Sequence, residues 1–210
     1  MRLATALHLL VLALGLLLTS AATAAAAPLL LNEFLAGPAR DWNGDGTFSS
    51  RDDEWVEVFN SGTVSLDLGG FLLTDGDSIP RYALSGTLAP GAWRLVYGRD
   101  SYDWERANGF PAFGLSLANT GDRVILWQVA AGETLLVDSY AYTSHEAASD
   151  RSMGRSPDAG GWALFDGLNL YTGTTPPLGN GCAPTPGNSN ACGVTGTKSI
   201  TWGKLKTLYR

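Results

Sequence analysis

The chain has 210 residues, with 20 acidic against 14 basic side chains, a net charge of −6, and 45% hydrophobic residues. That length and composition suit about one domain with a real core. The acidic balance sharpens on division: nine arginines against all 20 acidic residues between Pro28 and Thr197 leave a net −11, while Lys198, Lys204, Lys206 and Arg210 give the C-terminal tail +4 and Arg2 adds one more at the start. A body so acidic repels phosphate backbones, which excludes direct nucleic-acid binding as its expected role.

Met1 to Ala27 reads as a secretory signal. Arg2 is followed by an unbroken apolar run from Leu9 to Leu18, and Ala22-Thr23-Ala24, or Ala24 to Ala26, offers a small-residue cleavage site. The run is short for a bilayer span, so cleavage is expected, leaving a mature form without a transmembrane segment. The expected location is exported: extracellular, periplasmic or cell-surface. His8 leaves with the signal, and His145 becomes the sole histidine.

The mature chain then alternates short strand patterns with Gly, Asn, Asp and Pro punctuation. Strands are expected at Leu29–Phe34, Trp55–Asn60, Leu66–Leu73, Arg81–Leu84, Trp93–Gly98, Asp122–Gln128 and Leu135–Tyr142. In Trp55-Val56-Glu57-Val58-Phe59 the valines take one face and Trp, Glu and Phe the other, the half-buried alternation of antiparallel sheets. Only Ser101 to Asn108 suggests a helical turn. The fold class that follows is all-β, an antiparallel β-sandwich spanning residues 28–192.

Between the first two strands lies DWNGDGTFSSRD, residues 41–52. Asp41, Asn43 and Asp45 stand at loop positions one, three and five, Gly46 at six, the Thr47 carbonyl at seven and Asp52 at twelve. This is the spacing of an EF-hand-type calcium loop. Calcium wants six to eight oxygens, so alternate carboxylates and amides must fold about one point, with glycine permitting the sharp turn. Asp52 at twelve reaches less far than the usual glutamate, and Asp53 or Glu54 are candidates to complete the shell. The same residue types also build a plain acidic turn. No helical pattern flanks the loop, so a calcium site here is a stapled surface loop, with an affinity on the order of 10⁻⁴ M as in extracellular modules. Trp42, at position two, is expected to point outward and is the best candidate for stacking on a sugar.

Cys182 and Cys192 are the only cysteines. In an exported chain they are expected to form one disulfide closing a short loop; a two-cysteine metal site lacks nearby histidines.

Taken in order, these segments resemble a known family. Leu31-Asn32-Glu33-Phe34, then Asp53-Glu54-Trp55-Val56-Glu57-Val58-Phe59-Asn60, then Leu66-Asp67-Leu68-Gly69-Gly70-Phe71-Leu72-Leu73-Thr74-Asp75 and Leu88-Ala89-Pro90-Gly91-Ala92-Trp93 are similar to the lamin tail domain in its bacterial exported form. Gly121 to Leu126, Val137 to Tyr140, Ser152 to Asp158 and Thr185-Pro186-Gly187-Asn188-Ser189-Asn190 continue the likeness over nearly all of Leu29 to Asn190. The resemblance implies an immunoglobulin-like sandwich, no catalytic residues, and a role as a binding or assembly module beside a protein or glycan partner at the cell surface.

The residues bear on enzymatic arrangements directly. His145 with Asp138 and Ser139 has no nucleophile elbow around it. A carboxylate pair from Asp53, Glu54 and Glu57 fits a glycosidase by spacing alone, but a structural role is expected, with Glu57 paired to an arginine at the edge of the core. The competing class is a carbohydrate-active domain or a targeting subunit of a separate hydrolase or nuclease. Residues 193–210 form a basic tail in which Trp202, Leu205 and Leu208 recur at three-residue intervals. It is either a sorting or attachment segment or a frayed terminus.

Overall fold

The computed structural model describes residues 28–192; the signal segment 1–27 and the tail 193–210 lie outside the described residues. Strands run in the order β1 (Leu29–Leu35), β2 (Trp55–Asn60), β3 (Leu66–Asp67), β4 (Phe71–Thr74), β5 (Pro80–Ala83), β6 (Thr87–Leu88) and β7 (Trp93–Tyr97). Helix α1 (Gly98–Ala107) follows, then β8 (Gly121–Ala130), β9 (Glu133–Thr143), β10 (Ser152–Ser156) and β11 (Gly161–Phe165). One sheet has the order β11-β10-β1-β2-β7, a second β5-β4-β8-β9, and β3 and β6 pair separately. Every pairing between these strands is antiparallel. This is the expected immunoglobulin-like β-sandwich.

The core between the sheets follows from strand alternation. Leu29, Leu31, Val56, Val58, Val96 and Met153 from the first sheet meet Phe71, Leu73, Val124, Leu126 and Tyr142 from the second. The expectation of a half-exposed β2 is corrected: Trp55 and Glu57, on its other face, are also fully buried. That face is covered by loops rather than by water, so alternation recorded the side of each residue but not its burial.

A bulge in β1 supplies the link between the sheets. The β1–β2 register shifts between Leu31 and Glu33, which takes the Leu31 peptide groups out of the regular ladder. Side chains take over: the Leu31 N–H donates to Asp138 Oδ2 at 3.0 Å, and Arg155 Nε donates to the Leu31 carbonyl at 2.8 Å. Arg155 also pairs with Asp138 at 2.9 Å and lies over the Trp162 ring. Asp138 on β9 and Arg155 on β10 thus tie the two sheets through one residue of β1.

Three departures from the expected elements have local causes. The run Leu66–Leu73 breaks at Gly69-Gly70, where Gly70 has φ of 88° and the Phe71 N–H closes a turn on the Leu68 carbonyl. The helical turn at Ser101–Asn108 is a ten-residue helix beginning at Gly98. Asp100 starts it by accepting the Tyr97 N–H at 3.0 Å. Strands β6, β10 and β11 were not anticipated, because SMGRS carries no β-branched or alternating pattern and is held by its neighbours. Among the described residues no helix is long and apolar enough to cross a membrane.

Candidate functional site

The acidic loop between β1 and β2 is organised by its own side chains. Asp41 accepts the Gly44 N–H on Oδ1 at 2.7 Å and the Gly46 N–H on Oδ2 at 2.8 Å. Asn43 Oδ1 accepts the Asp45 N–H at 2.9 Å, and Asp45 Oδ1 accepts the Thr47 N–H at 2.8 Å. Each is a short side chain turning back onto amides just ahead of it. Gly44 and Gly46, with φ of 74° and 88°, allow the reversals. Positions one, three and five therefore share one arm of the loop, with Asp41 and Asn43 half-buried and Asp45 exposed.

The other expected ligands are placed differently. Asp53 is fully buried, and its carboxylate accepts the N–H groups of Trp42, Asn43 and Ser49 at 2.8, 3.0 and 2.8 Å. It is the internal post around which the loop is wrapped. Glu54 turns the opposite way and accepts the Leu117 N–H at 3.1 Å, so the structure does not bring it to Asp41. Asp52 is half-buried, and its carboxylate makes no hydrogen bond or ion pair among the described residues. Thr47 is exposed. Among the described residues, no group of three His, Cys, Asp or Glu side chains is gathered as a metal cluster. Ser49, at loop position nine, is a further oxygen-bearing side chain of the loop, since position nine of such loops also supplies a ligand; its hydroxyl accepts the Asp52 N–H at 3.1 Å.

Trp42 is not the outward platform expected. It is half-buried: its Nε1 donates to Asp150 Oδ1 at 2.9 Å, its ring meets Trp55 edge-on with centroids 6.1 Å apart, and Arg40 lies over it. The ring roofs the far face of β2, and the buried Asp150 anchors it there.

The end of the loop rests on the start of α1. The Gly98 N–H donates to the Glu54 carbonyl at 2.7 Å and the Arg99 N–H to the Asp52 carbonyl at 3.2 Å. A side chain at Gly98 would overlap the Arg51 carbonyl. Beyond α1, three carboxylates hold the segment before β8. Glu105 accepts the Phe113 and Gly114 N–H groups at 2.6 and 2.8 Å, Glu54 that of Leu117, and Asp122 that of Ala118 at 3.3 Å. An open cleft of about 290 Å³, lined by Arg51, Glu54, Ser116 and Asn119 among others, separates this segment from the loop. Burial pushes the Glu54 carboxyl up to about 8, against the lowering effect of the Leu117 N–H.

A second polar centre lies under the disulfide loop. Cys182 and Cys192 are bonded, with Cα atoms 5.9 Å apart, and the residues between them lie against β1 and β2. Glu33 accepts from the Thr185 hydroxyl at 2.7 Å, the Thr185 N–H and the Ser152 hydroxyl. Glu57 accepts from Asn32 Nδ2 at 2.8 Å and the Gly187 N–H at 2.6 Å. No arginine pairs with Glu57 among the described residues, which corrects that expectation: neutral donors satisfy the carboxyl instead. Burial is the main cause raising Glu33 to about 7 and Glu57 to about 8.

The catalytic arrangements are not assembled. His145 Nδ1 shares a hydrogen bond with the Thr143 hydroxyl at 2.8 Å and its ring stacks on Tyr171, while Asp138 is engaged by Arg155 and Leu31. Asp53, Glu54 and Glu57 each serve a different set of amides rather than flanking one cleft.

No curated protein and no solved structure matches the chain. A family model does: that of the Lamin Tail Domain matches residues 22–144, more than half of the 210-residue chain. The match ends at the close of β9 and stops short of β10, β11 and the disulfide loop, which the resemblance read from sequence had included. With its sandwich topology and the matched opening strands, the chain belongs to the Lamin Tail Domain family.

Proposed function

We propose that this chain is an exported, non-catalytic binding and assembly module of the cell surface, with a partner that is a protein or a glycan, and that its loop 41–52 takes calcium. The observation that carries the reading is family membership over residues 22–144. The disulfide and the lack of a membrane-crossing helix among the described residues are compatible with an extracellular or periplasmic protein. For calcium the support is the shared arm of Asp41, Asn43 and Asp45, the Thr47 carbonyl beside it and the unengaged Asp52 carboxylate. Since these acids are not gathered into a cluster, binding is expected to draw the loop together.

Thermal unfolding in chelator and in about 10 mM calcium tests this. At an affinity on the order of 10⁻⁴ M, that concentration stabilises the native state by about 2.7 kcal/mol, and Asp45→Ala abolishes the gain. Equal melting points for the parent with and without calcium would reduce the loop to an acidic turn.

The basic tail completes the reading as a secretion or surface-attachment address. Deleting Thr197 to Arg210 and fractionating cells is expected to shift the protein from the surface to the medium or the periplasm. Unchanged distribution would rule the address out.

A further inference from the structure

We propose that the Cys182–Cys192 bridge is a redox latch. Oxidised, it holds the segment Thr185–Asn190 onto the buried carboxyls of β1 and β2; reduced, it lets that segment lift while the core between the sheets stays closed. Glu33 and Glu57 are both fully buried and stand opposite each other across β1 and β2. Like charges in that position repel, and a buried carboxyl without donors is costly. Their donors from the disulfide loop are the Thr185 N–H and hydroxyl on Glu33 and the Gly187 N–H on Glu57.

The same loop closes a second ring of bonds around Asn32, the bulged residue of β1. Asn32 Nδ2 donates to Glu57 and to Asp158 Oδ1, and its carbonyl accepts from Asn190 Nδ2. Asp158 takes the Asn190 N–H at 3.0 Å and the Ser189 hydroxyl at 2.7 Å. Between Thr185 and Asn190 the segment belongs to no strand; Gly187, Asn188 and Ser189 are exposed, and apart from the half-buried Pro186 it is attached through polar groups, the buried Asn190 among them. What keeps these donors in place is the bridge at the two ends, which limits how far the segment can move.

Both cysteines are partly exposed, so a reductant reaches them. A dithiol transfers two electrons and two protons to the bridge, leaving Cys182 and Cys192 as thiols and becoming a disulfide itself. The freed segment then exchanges its bonds to Glu33, Glu57 and Asp158 for bonds to water. Water in turn reaches the carboxyls, and the polar far face of β1 and β2 opens. The inner face does not depend on this segment: Leu31, Val58, Leu73 and Leu126 pack on one another across the sandwich.

Amide hydrogen exchange on the full chain, with and without a phosphine reductant, tests the latch, with thiol alkylation and mass measurement confirming reduction. The expected result is exchange at Gly187 and Asn190 at least about tenfold faster on reduction, with Val58, Leu73 and Leu126 unchanged. The double variant Cys182→Ser, Cys192→Ser is expected to reproduce this without reductant. Unchanged protection at Gly187 and Asn190 overturns the latch, because the segment then holds itself. Equal acceleration at every amide also overturns it, since the bridge is then a staple of the whole fold. If the double variant does not fold, the reduced parent alone decides between these outcomes.

Discussion

Replacing Arg81 with alanine is expected to lower the free energy of unfolding by about 3–5 kcal/mol, the scale for removing one partner of a buried ion pair. Its side chain is 2% exposed. The guanidinium donates to Asp75 through Nε at 3.2 Å and Nη2 at 2.8 Å, to Asp77 through Nη2 at 2.8 Å, and to Glu105 through Nη1 at 3.1 Å. Asp75 and Glu105 are themselves buried, so alanine leaves two carboxyls facing an empty space without their counter-charge. The damage spreads because Glu105 also holds the Phe113 and Gly114 amides. Arg81→Lys keeps the charge but loses the planar fork, so it should fall between alanine and the parent. Urea denaturation measures the loss, and a double-mutant cycle with Glu105→Gln isolates the pair. A loss under about 1 kcal/mol for alanine would show the cluster to be marginal to stability.

Stability is expected to fall as pH rises from 5.5 to 8.5, opposite to the trend of a domain dominated by salt-bridged carboxylates. Burial raises Glu33 to about 7, Glu54 to about 8 and Glu57 to about 8 from an ordinary 4.5. Between the ordinary value and these raised values the native state keeps protons that the unfolded chain has released. The stability they confer is therefore fully present below about pH 4.5 and is lost as pH climbs through 7 to 8. Asp158 acts in the other direction. Burial works to raise it, but hydrogen bonds from Asn32, Ser189 and Asn190 prevail and hold it below its ordinary value, so its contribution is lost at low pH. The optimum should then lie near pH 5, with a melting point about 5–10 °C lower at pH 8.5. Glu54→Gln combined with Glu57→Gln should flatten the profile between these limits. A parent melting point that is flat or rising from pH 5.5 to 8.5 would mean that these carboxyls ionise freely in the folded state.

The two predictions share a cause that bears on function. This domain uses buried carboxyls as acceptors for loop amides: Asp53 for the acidic loop, Glu54 and Glu105 for the segment before β8, and Glu33 and Glu57 for the disulfide loop. Each of these loops is thus fastened to the sandwich separately. Calcium at Asp41 to Asp52 and oxidation at Cys182–Cys192 would each control one of those loops separately.

Much of the fold was legible from sequence. Period-two alternation and turn residues marked seven strand regions, because a strand with one face in a core must alternate and a chain reversal needs Gly, Asn, Asp or Pro. The acidic arm was legible for a similar reason: Asp41, Asn43 and Asp45 bond amides within five residues of themselves, so their arrangement is local. The cysteine pairing followed from there being only two.

What the sequence did not show were partnerships across long separations. Nothing near Glu57 announces that Gly187 will supply its donor, or that Asp150 will take the Trp42 indole and turn a candidate sugar platform into a roof. The same is true of β10, whose SMGRS has little strand preference of its own and pairs with β1 on one side and β11 on the other. The sequence by itself thus determined the strand periodicity, the turns and the acidic arm, set by short-range sterics and hydrogen bonding, and the single bridge, set by there being only two cysteines. The tertiary structure alone decided which carboxyls are buried and what satisfies them, because that depends on which distant amides the folded chain brings within about 3 Å.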